Sequence, residues 1–156
     1  MQTIKKDIRN LSKSDLELFF LKNNSPKFRA RQVLDWIWRY RELDFKKMTN
    51  LALSDRQLLE NNFSISQLNI IKKKTSIDGT VKFLFELENN RLVEGVLIPQ
   101  LDRLTVCISS QVGCSLSCNF CATGKLNLYR NLTAGEIYDQ VFLINNYTMK
   151  KFKKRI

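Results

Sequence analysis

Three cysteines, Cys114, Cys118 and Cys121, fall in one eight-residue window with Cys-x-x-x-Cys-x-x-Cys spacing. The chain has four cysteines in all, so this window holds most of its thiol chemistry. Thiolates are the preferred ligands of iron–sulfur clusters and of zinc, and a loop this short can wrap three sulfurs around one metal centre. No histidine occurs anywhere in the chain, which excludes mixed cysteine/histidine zinc sites. Cys107 is separated from the window by a strand-like stretch and Gly113, so it is not an obvious fourth ligand. Three ligands with one position open suit catalysis better than scaffolding.

What precedes and follows the window decides where it sits. Arg103–Ser109 reads as a strand, and Thr133 with Glu136 three residues on reads as the capping box of a helix. Ile137, Val141 and Ile144 share one face of that helix, with Phe142 beside it. The cysteines therefore occupy a loop between a strand's C-terminal end and a helix, the position at which barrel enzymes place active sites.

The first 63 residues read as a helical module. Ser14 and Glu17 form a capping-box pattern, and Asn23-Asn24 stops the helix that follows. Ser25-Pro26 reads as an N-cap with proline at the first helical position. Ala30, Val33, Leu34, Ile37 and Trp38 then mark one face of a helix ending near Tyr40. That helix carries Lys27, Arg29, Arg31, Arg39 and Arg41, and it has two readings. It is an amphipathic element with solvated arginines, or it meets RNA with Trp36 or Tyr40 stacking on bases. Phe45–Leu51 reads as a short helical turn, and Ser54 with Gln57 as a further capping box.

From Gln67 the period becomes two. Gln67–Lys74 and Val81–Leu87 are strands about an Asp78-Gly79 turn, and Asn89-Asn90 turns the chain into Arg91–Ile98, which Pro99 ends. The fold class is α+β to α/β: a small helical domain, an antiparallel β meander, then the beginning of a partial (β/α) barrel. The domains are placed at 1–64, 65–100 and 101–156.

The net charge of +11 favours a polyanionic partner, RNA or DNA first. The basic run Lys150–Arg155 is either a phosphate contact or a solvated end. No apolar stretch is long enough to cross a membrane, and clustered cysteines without a secretory signal fit a cytoplasmic protein.

The aromatic residue before the third cysteine, Phe120, makes the window resemble the radical S-adenosylmethionine signature. Wider runs narrow the resemblance: Val93–Pro99, Thr105–Cys114, Cys121–Gly124 and Arg130–Thr133, with Phe28–Val33 and Met48–Leu51 upstream. Together they are similar to the RlmN/Cfr family of radical S-adenosylmethionine RNA methyltransferases. The resemblance implies that Cys114, Cys118 and Cys121 hold a [4Fe-4S] cluster whose open iron takes S-adenosylmethionine. Reductive cleavage then gives a 5′-deoxyadenosyl radical. It implies methylation of carbon 2 of an adenine in 23S rRNA and in tRNA, with a flavodoxin-type electron donor, by a monomer. It implies Glu94 as proton acceptor and Cys107 as the resolving cysteine of a transient disulfide with a methyl-carrying cysteine. From local sequence alone, Glu94 reads as a strand-face carboxylate pointing to water and Cys107 as a small core residue. Apolar neighbours leave open a buried Glu94, which would be a stronger base. No cysteine follows Cys121, and the family's downstream glycine-rich segment is missing, so the resemblance is to the N-terminal portion of such an enzyme. Methylation at carbon 8, and a non-catalytic RNA-binding module with a structural metal, are the alternatives.

Overall fold

The computed structural model describes residues 5–116, 118 and 123–156. The chain divides into two compact units, Met1–Ser66 and Gln67–Ile156.

The first unit is helical. Strand β1 (Lys6–Asp7) pairs in parallel with β2 (Phe63–Ser64), which ties its two ends together. Helices α1 (Lys13–Lys22), α2 (Arg29–Leu34) and α3 (Leu53–Asn62) surround a core of Leu16, Phe20, Val33, Ile37, Met48 and Leu59. The cap of helix α1 lies two residues earlier than predicted, at Ser12 in place of Ser14. The Ser12 hydroxyl accepts from the Asp15 N–H while Asp15 receives the Ser12 N–H. Ser12 wins over Ser14 because this start sets Leu11 and Leu16 at the two ends of a hydrophobic staple, both in the core. Asn24, at φ 58°, ends the helix as predicted, and the Ser25 N–H closes back on the Phe20 carbonyl.

Two further predicted caps are not used. The Ser25 hydroxyl donates to the buried Asp55 carboxylate, which also pairs with Arg29, so α2 starts at Arg29 without a side-chain cap. Helix α3 starts ahead of Ser54, with Ala52 at its cap position. The predicted stripe on α2 holds: Ala30, Val33 and Ile37 are buried, with Leu34 and Trp38 packed beside them. The helix continues through a wider π-type turn over Asp35–Arg39. The predicted turn near Phe45 is a 3₁₀ turn over Phe45–Lys47.

The second unit is a four-stranded antiparallel meander, β3 (Asn69–Thr75), β4 (Val81–Glu86), β5 (Leu92–Pro99) and β6 (Leu104–Cys107), paired in chain order. Both predicted turns form. The Asp78 carboxylate accepts from the Thr80 N–H and hydroxyl with Gly79 at φ 84°, and Asn90 at φ 59° makes the second turn. Val81, Phe83, Phe85, Val93 and Leu97 fill one face of the sheet. A short pair, β7 (Gln111–Val112) with β8 (Arg130–Asn131), precedes helix α4 (Ala134–Phe152). Helix α4 covers the apolar face: Ile144 is buried there and Tyr147 meets Phe83 edge-on at 5.2 Å. A Cβ at Gly95 would stand 2.9 Å from the Phe85 ring and 3.4 Å from Ile144, so the glycine lets the helix approach. The buried stripe of α4 runs through Glu136, Gln140, Ile144 and Thr148, and the predicted Val141 lies at its exposed rim. No helix among the described residues is long and apolar enough to cross a membrane.

Candidate cysteine-loop site

The cysteine loop leaves β7 and returns in β8, and its two ends are cinched. Gln111 pairs with Asn131 and Val112 with Arg130. Backbone bonds continue the closure inward, Tyr129 N–H to the Val112 carbonyl at 2.8 Å and Cys114 N–H to the Leu126 carbonyl at 3.1 Å. Gly113 is required where the two sides cross. Its φ is +78°, and a Cβ would stand 2.1 Å from the Asn127 carbonyl oxygen.

Cys114 and Cys118 are free thiols, both half-buried. The Leu116 N–H donates to the Cys114 sulfur at 3.4 Å. Cys121 lies outside the described residues. The donor set of three cysteines at this spacing, two of them free, and one thiol already receiving a backbone donor, fits an iron–sulfur cluster.

The helix that follows anchors the loop's exit. Thr133 caps α4 with Glu136 in a reciprocal box, as predicted. Arg130 adds a bidentate pair to Glu136, at 2.7 and 2.8 Å. Burial pushes the Glu136 carboxyl up, and the Arg130 and Thr133 donors outweigh it, so the group sits below its ordinary value. The Arg130 guanidinium is raised chiefly by its bonds to Glu136.

Gln140 escaped the sequence reading. It is fully buried, and its amide makes two bonds to one residue, accepting from the Ser109 N–H at 3.0 Å and donating to the Ser109 carbonyl at 2.9 Å. This clamp fixes the backbone between β6 and the loop. The available signal was a glutamine on the helix stripe, but its partner is 31 residues away.

Glu94 is not buried. Alternation along β5 sends Val93 and Gly95 into the core and Glu94 outward, where its side chain is 51% exposed and pairs with Lys82 at 3.3 Å. The water-facing reading therefore replaces the buried one. Cys107 is likewise exposed, not a core residue. It pairs across from Val96, two residues from Glu94, so both stand on the sheet face opposite α4. Glu94 lines a cleft of about 290 Å³ together with Ser109, Gly113 and Thr123, at the rim of the cysteine loop. Cys107 shares the face but does not line that cleft.

Free cysteines on a loop cinched between β7 and β8, with a carboxylate in the adjoining cleft, are an arrangement compatible with a radical S-adenosylmethionine enzyme. The fold agrees: a crystal structure of a radical SAM methyltransferase from Sphaerobacter thermophilus is similar over 97% of this chain and 44% of that one, with TM-score 0.74 and 34% identity.

Within that class, residues 6–65 match the ribosomal RNA large subunit methyltransferase N-terminal domain. A probable dual-specificity RNA methyltransferase RlmN of Cytophaga hutchinsonii is 56% identical over 90% of this chain and 38% of its own length. That of Flavobacterium psychrophilum is 47% identical over 99% of this chain and 44% of its own. The chain belongs to the RlmN family, and it spans about two fifths of the length of these curated relatives.

Proposed function

We propose that this chain carries the cysteine loop, proton acceptor and resolving thiol of an RNA methyltransferase acting on carbon 2 of adenine in 23S rRNA and tRNA. Enzymes of the family use a [4Fe-4S] cluster and S-adenosylmethionine. What supports the reading most is the meeting of Glu94 with the rim of the cysteine loop in one cleft. Residues 1–64 serve as a helical accessory domain, 65–100 as a sheet extension and 101–156 as the start of the barrel core. The electron comes from a donor of the flavodoxin kind, and the enzyme works as a monomer in the cytoplasm.

Cys114, Cys118 and Cys121 hold the cluster in this proposal. Carbon 2 of adenine is electrophilic, and ordinary methyl transfer needs a nucleophile; the bound cofactors supply radical chemistry in its place. Glu94 takes the ring proton once carbon has been added, and its place on an open face gives it access to a base turned out of its stack. Cys107, exposed on the same face, attacks the sulfur of the methyl-carrying cysteine as a thiolate: the S–S bond forms as that sulfur's bond to the transferred carbon breaks, the departing electron pair stays with the product and takes up a proton, and the product is freed. The Gln140 clamp on Ser109 holds the strand exit that carries Cys107 toward the loop.

Anaerobic reconstitution with iron and sulfide tests the reading. Uptake of about four irons and four sulfides per chain is expected from a cubane cluster, with loss in Cys118→Ala. Stoichiometric zinc without iron would sink the assignment. In a chimera completed from a relative's remaining residues, Glu94→Gln should slow methylation by about 100-fold or more. Cys107→Ala should leave RNA attached to protein. Normal turnover in either variant removes that residue's role.

A further inference from the structure

On the sheet face opposite α4, Lys72, Lys74 and Lys82 are exposed, and alternation along β4 and β5 places two carboxylates, Glu86 and Glu94, on the same face. An irregularity in β3 between Ile70 and Lys72 resets the pairing, so Lys72 lies opposite Leu84 and Lys74 directly opposite Lys82. Like charges paired across strands repel. Lys82 has Glu94 as a partner, whereas Lys72 and Lys74 have no carboxylate partner among the described residues. The three lysines, with Leu84 and Glu94, line a groove of about 260 Å³. Lysines on an edge strand also blunt sheet extension. That explanation leaves out Lys82, which stands on the second strand, and does not require the three amines to converge on one groove.

We propose that Lys72, Lys74 and Lys82 seat the sugar-phosphate backbone of the substrate RNA beside Glu94. The proposal rests on the reading of the chain as part of an RNA methyltransferase and assigns its RNA-docking surface. Charge complementarity selects the occupant: three ammonium groups converge on a groove with one carboxylate, and that carboxylate is the proposed proton acceptor. A phosphate arriving at Lys82 competes for the ammonium that pairs with Glu94. Docking of RNA therefore frees the carboxylate at the moment a base is presented to it. The pair is half-exposed and weak, so the exchange is easy.

The test is fluorescence anisotropy of the full chain with a short fluorescein-labelled RNA hairpin, titrated at several salt concentrations. The double variant K72Q/K74Q should bind about tenfold more weakly at low salt. Its log-affinity against log-salt slope should flatten by about 1.4, two lost contacts at about 0.7 each. The double variant K150Q/K151Q, on α4, should bind within about twofold of wild type, since its lysines lie outside the groove. Unchanged affinity and slope in K72Q/K74Q would overturn the proposal, as would no binding by the wild-type chain. Tighter binding of a polyglutamate peptide than of the RNA would overturn it in favour of an acidic protein. The assay needs neither cluster nor S-adenosylmethionine. Failure of iron uptake with an intact lysine effect therefore strikes the catalytic reading alone, and the reverse result strikes this proposal alone.

Discussion

Glu136 receives both guanidinium nitrogens of Arg130 and the backbone N–H of Thr133. Its folded carboxyl sits below the ordinary value despite burial, because those donors favour the charged form. The unfolded chain therefore binds this proton more readily than the folded one. The stability from Glu136 is complete above the ordinary glutamate value of about 4.3 and is lost as pH falls through the lowered folded value. Urea midpoints measured from pH 7 to pH 3 should show a steeper acid decline for wild type than for Glu136→Gln. At pH 7 the variant should lose about 1 kcal/mol, the contribution of a charge-assisted bond discounted for the partly exposed Arg130. A flat difference across that range would refute the linkage. The Thr133–Glu136 box was legible because both partners lie three residues apart. Arg130 and Gln140 were not, since their roles exist only once strand, loop and helix have met.

At the scale of elements, periodicity fixed the strands and their turns while helix starts slipped. Two serines near α1, Ser12 and Ser14, each precede an acidic residue by three positions. Local pattern does not separate them; the staple of Leu11 and Leu16 does, through a core that only the assembled unit supplies. Ser12→Ala should therefore cost about 1 kcal/mol, whereas Ser14→Ala should change little. Equal losses in thermal or urea unfolding would contradict the observed cap. Ser25 misled for a related reason, since its hydroxyl serves Asp55 from α3, 30 residues away. The site shows the same division. The placement of the cysteines between strand and helix could be read locally, and so could the alternation that turns Glu94 outward. The shared face of Glu94 and Cys107 depends on the β5–β6 register, which no single segment encodes.

At the scale of the molecule, the two units own separate cores: Phe20 belongs to one and Phe83 to the other. Phe20→Ala should destabilise the helical unit by about 3–5 kcal/mol. Amide hydrogen exchange should show this as lost protection in α1 and α2, with the strands β4 and β5 still protected. Simultaneous loss of protection in both units would mean a single cooperative core. The cinched β7–β8 base has a further consequence, in the currency of preorganisation. Closing a loop of this span costs on the order of 2 kcal/mol in chain entropy, and here strand pairing has already met that cost before any metal arrives. The affinity of the thiolates for iron is then governed mainly by their own chemistry. A chain that kept every cysteine but lost the pairing of Val112 with Arg130 would have to supply the loop's order out of the binding energy itself.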